Sequence, residues 1–285
     1  MGMAQNPVVS LPELKMNFET KMKFARFDKE NLYKIENSFK SYGENDSSWY
    51  DGNLKFSIAN PSTSLKHTTV SLEKLLIGNR FYENGSTIVD VQIGKCKMDD
   101  IFDSKLQFNS NLNGIVMNCK YKCLDLNIAE FVIDSLRSHY GSIGQISYNF
   151  PKQFPAKITY SLTDWHHDSE YVISQLGMIY TINNFCYPVD IYGALLKNHQ
   201  HTSHANGCYA GIKIGNIKQA FDWVVDCNYQ YSGVNAIADF DYNGIGVGSG
   251  VNLKATLALT DFFSVETKFA FGDSERIEVS GIYKW

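Results

Sequence analysis

This sequence lacks most of what marks a helical membrane protein or a nucleic-acid binder. Its 285 residues contain no run of ~18 uninterrupted apolar residues, which excludes a transmembrane helix. They contain no basic tract either, and with Lys+Arg 26 against Asp+Glu 30 the formal net charge is −4, which argues against nucleic acid as a partner. The 6 cysteines include no CxxC pair and fit no zinc spacing. Met1 to Pro7 lack the basic and apolar regions of a signal peptide, so the expectation is a cytosolic chain or one whose signal has been removed. Proline is scarce, at 6, whereas 4 Trp, 17 Tyr and 18 Phe with a nearly balanced charge exclude a disordered chain. The length exceeds the roughly 100–200 residues of a usual domain, although β-barrels reach ~250 as one unit.

What is present is a period of two. Leu14, Met16, Phe18, Met22 and Phe24 alternate with Lys15, Asn17, Glu19, Lys21 and Lys23. The pattern returns late in the chain: Phe221 to Tyr231, Val251 to Leu259, Val265 to Phe271 and Ile277 to Trp285 each set apolar residues against polar ones. Similar segments are read at 31–42, 54–60, 66–77, 87–95, 104–110, 114–123, 143–150, 156–163, 170–181, 186–197 and 207–215, with 124–133 ambiguous. That makes about sixteen strands, with a range of 14–18 and no helix between them. Many approach the ~9–11 residues that a tilted strand needs to cross a bilayer.

Alternation alone does not say which face is dry. A soluble sandwich turns its apolar face inward, whereas a membrane barrel turns it out and fills its lumen with polar groups. Two features favour the second arrangement. Large aromatics stand at strand ends, where an interfacial girdle would lie: Trp223, Tyr229, Tyr231, Tyr283 and Trp285. Short connections, such as 151–154 and 260–262, also alternate with longer polar ones at 163–169, 198–206 and 232–250. The expected fold is therefore all-β, a transmembrane antiparallel up-and-down β-barrel over 14–285, preceded by an N-terminal periplasmic segment at 1–13. The final strand, ending in Trp285, would close on the first so that no backbone edge faces lipid.

Several stretches resemble a known family. Tyr192 to Asn198, Gly211 to Gly215, Asp222-Trp223 with Asn228 to Tyr231, Asn235-Ala236 and Asp239 to Gly248 resemble the C-terminal half of the bacterial putative outer-membrane porins. Phe102 to Phe108 with Asn113-Gly114 looks like that family's middle region. The resemblance implies a diffusion channel in the outer membrane of a Gram-negative bacterium, passing ions and small hydrophilic solutes, with no cofactor and no catalytic residue. Because trimers are common among porins, it also implies a homo-trimer. The residues alternating with the lipid-facing set would line the pore: Lys157, Asp190, Lys213, Asp222, Asp226, Lys254, Glu266 and Lys268. Both signs are present, so no strong ion preference is expected.

Two other classes stay open. One is a soluble all-β binding protein. The other is a barrel hydrolase of the outer-membrane phospholipase type, because His201 and Ser203 stand two apart like a base and nucleophile on one strand face, although His204-Ala205 interrupts the run before Asn206-Gly207. The run His199, His201, His204 could chelate a metal but has no adjacent carboxylate or cysteine, and a solvated loop is favoured. Gly244 to Gly250 lacks the ending and the helix of a phosphate loop. Trp165 to Asp168 reads as a further external loop. Cys119 and Cys123 fall on one strand, too far apart to bridge. Cys208 and Cys227 come opposite one another if the hairpin folds about Ile217-Lys218, which makes a cross-strand disulfide conceivable, with two reduced thiols favoured.

Overall fold

The computed structural model describes residues 13–27, 30–44, 47–61, 67–133, 136–166, 171–183, 186–238, 241, 247–273 and 275–285. The strands are β1 Glu13–Phe27, β2 Glu30–Glu44, β3 Ser48–Pro61, β4 His67–Asn84, β5 Thr87–Lys97, β6 Asn111–Tyr121, β7 Leu124–Ile133, β8 Leu136–Asn149, β9 Ala156–His166, β10 Tyr171–Ile182, β11 Val189–Asn198, β12 Asn206–Gly215, β13 Trp223–Ser232, β14 Gly248–Ala258, β15 Phe263–Gly272 and β16 Arg276–Lys284. Each pairs antiparallel with its sequence neighbours, and β16 pairs with β1 to close the barrel. The seam extends to the last residue, where Trp285 N–H donates to the Phe18 carbonyl at 3.0 Å. The N-terminal segment expected at 1–13 lies outside the described residues apart from Glu13, which opens β1.

The strand number agrees with the sequence reading, but one member differs. Residues 124–133 form β7, while 104–110 are not a strand. In the longer segment 98–110, Met98, Phe102, Leu106 and Phe108 are spaced by four, four and two, and all four side chains are buried inside the barrel. A strand in this wall has one lipid face and one polar face; this segment has apolar groups turned several ways because it is surrounded on several sides.

The wall is apolar outside and polar inside. Met22 is 61% exposed on the outer face, while Lys21 and Lys23 beside it form ion pairs inside. The same holds on β16, where Ile277 and Val279 face out and Glu278 and Ser280 are buried within. Apolar exposure on this scale would cost a protein in water roughly 25 cal/mol per Å², whereas in lipid it costs nothing. This is the inverted arrangement, and it disfavours the soluble alternative. On this reading Leu176→Arg, in the middle of β10's outer face, destabilises the barrel by about 2–4 kcal/mol in equilibrium unfolding from lipid vesicles. Ser174→Arg, nearer the rim, costs less.

The register also corrects the cysteine readings. The β12–β13 turn spans 216–222 rather than centring on Ile217-Lys218, so Cys208 pairs with Tyr231 and Cys227 with Ile212. All six thiols are free. Cys123 lies in the turn after β6, not on the strand with Cys119.

Candidate functional site

The barrel's chemistry concentrates where a segment from one rim enters the lumen. Residues 98–110, between β5 and β6, begin with a 3-10 turn, Met98–Asp100, and then fold against the inner wall. Phe102 and Phe108 pack at 5.5 Å between ring centroids, and with Leu106 they join an interior apolar cluster containing Leu112, Phe131, Ile143, Trp165 and Ile173. Trp165 meets Phe131 edge-on at 5.2 Å. It is therefore part of this internal packing and not of an external loop; its neighbour His166 stacks on Tyr140 at 4.9 Å, and residues 167–168 lie outside the described residues.

Polar contacts fix the segment's free edge. Ser104 Oγ donates to Gln175 at 2.7 Å, Gln175 Nε2 donates to the Asp103 carbonyl at 2.8 Å, and Asp103 pairs with Lys157 at 2.5 Å. Lys105, whose carbonyl accepts Gln230 Nε2 of β13 at 3.3 Å, pairs through Nζ with Asp226 on the same strand at 3.0 Å and lies 5.2 Å from the Tyr192 ring centroid. Tyr192 Oη donates to the same Asp226 carboxylate.

A second segment, after β13, braces the first. Ala236, Ile237 and Ala238 enter the same apolar cluster. The fully buried Asp241 carboxylate accepts the backbone N–H of Phe108 at 3.1 Å and of Ser110 at 3.4 Å. Phe108 holds φ at 74°, a left-handed conformation that presents its amide to the carboxylate. Burial pushes the Asp241 carboxyl up to about 7, against the opposing effect of the amides of Phe108, Asn109 and Ser110. A proton is thus held more tightly in the braced state than in the released one. The contribution of this brace is complete below the ordinary carboxylate range and is lost as pH rises through about 7. Amide exchange at Phe108 and Ser110 is expected to quicken between pH 6 and pH 8 by more than the intrinsic base-catalysed increase, as checked against Leu112.

The sequence-selected charges fall into one row. Asp190, Lys213, Asp226, Lys254 and Lys268 are successive Cα partners across β11 to β15, and Glu278 on β16 continues the row. All face inward. Lys157 lies one rung away, on the wall beside the entering segment. Glu266 stands two residues from Lys268 and accepts Lys254 at 2.8 Å, Lys21 at 3.1 Å and Lys268 at 3.2 Å. Asp222 is the exception. It lies in the β12–β13 turn, where its carboxylate accepts the amides of Lys218 at 2.9 Å and Gln219 at 3.0 Å, so it caps a turn instead of facing the lumen.

Sequence reasoning missed several partners of this row. Lys23 at 2.8 Å and Arg276 at 2.7 Å both bind Glu278. Their inward parity was readable from the alternation itself. Lys105 was hidden because 104–110 reads as a strand, and Asp99 and Asp103 because they fall in a connection, where parity gives no direction.

The selected aromatics are on the outer wall near the two rims. Tyr283 and Trp285 pack edge-on at 5.4 Å beside the β1–β16 seam, and Trp223 packs tilted against Tyr187 at 4.9 Å at the same rim. Tyr229, 47% exposed, and Tyr231 approach the opposite rim. The histidine run lies in the connection 199–205 and not on a strand, so the shared strand face assumed for His201 and Ser203 is absent. Among the described residues no cluster of ligand side chains could hold a metal ion.

No family model and no curated protein sequence matches the chain. Solved structures do. The high-pH structure of Pseudomonas putida OprB superposes with a TM-score of 0.66 at 8% identity, covering 96% of this chain and 94% of that one. Pseudomonas aeruginosa OccK5 (OpdH) gives 0.59 at 9% identity, covering 96% and 97%. A mutant of the Rh. blastica porin gives 0.58 at 9% identity, covering 96% and 100%. At these identities the likeness shows a shared barrel fold alone.

Proposed function

We propose that this chain is an outer-membrane porin: a water-filled barrel through which ions and small hydrophilic solutes diffuse down their gradients. The observation that carries this reading is the inverted wall, apolar outside and charged within, joined to a segment that narrows the lumen without filling it. Two interior cavities remain beside that segment. One, of about 360 Å³, is lined by Phe102, Lys105, Gln175, Asp190, Tyr192 and Lys213 among others. The other, of about 400 Å³, is lined by Asn228, Asn252, Lys254, Lys268 and Arg276 among others. Lys157, Asp190, Lys213, Asp226, Lys254, Glu266 and Lys268 line the passage on this reading, and selectivity follows from its width and charge.

The aromatic side chains at the two rims serve as interfacial girdles, with Trp223, Tyr283 and Trp285 at one and Tyr229 and Tyr231 at the other. The start of β1 and the end of β16 lie at the first rim, which we place on the periplasmic side, and the entering segment descends from the external side. The location is the bacterial outer membrane. The functional unit is a homo-trimer, a reading that rests on analogy with porins alone. Transport of this kind needs neither cofactor nor chemistry.

The test is reconstitution of the full chain in a planar bilayer. Discrete, ohmic current steps in potassium chloride are expected. Folded, inserted protein that yields no steps would remove the channel reading, and acyl-ester hydrolysis abolished by Ser203→Ala would put the hydrolase in its place.

A further inference from the structure

The two cavities share Asp99, Lys105 and Asp226, so the Lys105–Asp226 pair stands as a partition between them. The surroundings on its two sides are opposite in sign. Toward β9 to β13, with the partition included, Asp99, Asp103, Asp190 and Asp226 oppose Lys105, Lys157 and Lys213: four carboxylates against three ammonium groups, net −1. Toward β14, β15, β16 and β1, with the same partition included, Lys21, Lys23, Lys105, Lys254, Lys268 and Arg276 oppose Asp99, Asp226, Glu266 and Glu278: six cations against four carboxylates, net +2. Lys254, Lys268 and Arg276 remain 47%, 38% and 39% exposed to the lumen although each is paired. They can therefore turn toward a solute without leaving a buried carboxylate alone, because Glu266 and Glu278 each keep another cation.

We propose that this passage is built for short zwitterions with well-separated charges, namely ω-amino acids and short peptides. The carboxylate faces Lys254, Lys268 and Arg276, and the ammonium faces Asp226 and Asp190. From Asp190 to Lys254 along the row is three strand spacings, about 14 Å of wall at ~4.8 Å each, and inward-reaching side chains shorten that span. A lone anion gains only the basic side and meets Asp226 and Asp99 on the other. A lone cation has the reverse difficulty, and a neutral solute of equal size gains neither. A zwitterion also competes for both members of the Lys105–Asp226 pair at once, so the partition opens without leaving either charge bare in the narrow lumen.

The inference rests on the porin reading, and the experiment separates the two. The reconstituted full chain is recorded in potassium chloride while 6-aminohexanoate, hexanoate, 6-aminohexanamide or 6-hydroxyhexanamide is added at millimolar concentration. Interruption of the current by 6-aminohexanoate is expected at concentrations at least ~10-fold below those of the other three, a gap of about 1.4 kcal/mol in binding. Lys254→Gln with Lys268→Gln should erase its advantage over the cation, and Asp190→Asn should reduce its advantage over the anion. Equal potency of all four compounds, or hexanoate or 6-aminohexanamide acting most strongly, overturns the proposal while leaving a working channel. Absence of current steps overturns the channel itself.

Discussion

Phe102→Ala combined with Leu106→Ala raises the unitary conductance by roughly a factor of two and makes the current noisy, because open cross-section sets passive flux. Both side chains are buried in the interior cluster, at 1% and 0% exposure. Truncating a buried Phe costs about 3–5 kcal/mol and a buried Leu about 2–5. What remains is Met98 and Phe108 in the cluster, polar contacts from Gln175, Gln145, Asn127 and Gln230, the Lys157, Lys74 and Asp226 ion pairs, and the Asp241 brace. Ion pairs in a wet lumen contribute about 0–1 kcal/mol each. With two of the four buried apolar anchors removed, the middle of the thirteen-residue segment is held mainly by polar contacts and opens more often against its conformational entropy. The barrel wall has its own closed ladder of hydrogen bonds and should still fold, which the heat-modifiable mobility of the variant will show. A conductance and noise level equal to those of the parent chain would mean that the segment is held by something other than its apolar side chains.

Gly94→Val prevents the barrel from assembling at all. Gly94 adopts φ 139° on β5, a conformation that side-chain-bearing residues avoid, and a Cβ placed there would run into the Leu75 carbonyl of the adjacent β4. The clash is with backbone that is itself paired: Leu75 with Lys95 and Leu76 with Gly94. Relief would require breaking the β4–β5 ladder, and within a bilayer each backbone group left without a partner costs several kcal/mol. The expected result is no folded, protease-resistant species after refolding into vesicles. Gly144→Val, at a glycine whose added Cβ meets nothing within 4 Å, should refold normally and serves as the control. Folded Gly94→Val in comparable yield would show that the strand tolerates a shift at this point.

How far the sequence could be read depended on how local the signal was. Wherever both faces of a strand had one fixed neighbour, lipid or lumen, the alternation was legible; Lys21, Lys23 and Met22 show it, as do Glu278, Ile277 and Val279. The inward row from Asp190 to Lys268 followed from parity alone, since each member was selected by its place in its own strand. Asp222 failed because it lies just outside a strand, where parity has no meaning. The Cys208–Cys227 pairing failed for a related reason: a turn four residues longer on one side than assumed slides the register by that amount, and nothing in the strands themselves reveals it. Residues 104–110 were misread because their apolar groups face a core made by strands distant in sequence.

By itself, then, the sequence determined the all-β class, a barrel of about sixteen strands and which residues share a face along a strand, because these follow from a two-residue period imposed by two different solvents. Only the tertiary structure decided where the chain leaves the wall. It placed Phe102 and Leu106 against Trp165 and Ile173, set Asp241 beneath Phe108, and divided the lumen at Lys105 and Asp226. Those contacts join residues up to 133 positions apart. Their partners are chosen by closure of the barrel, which brings strands together whatever their distance along the chain, and no local pattern encodes that.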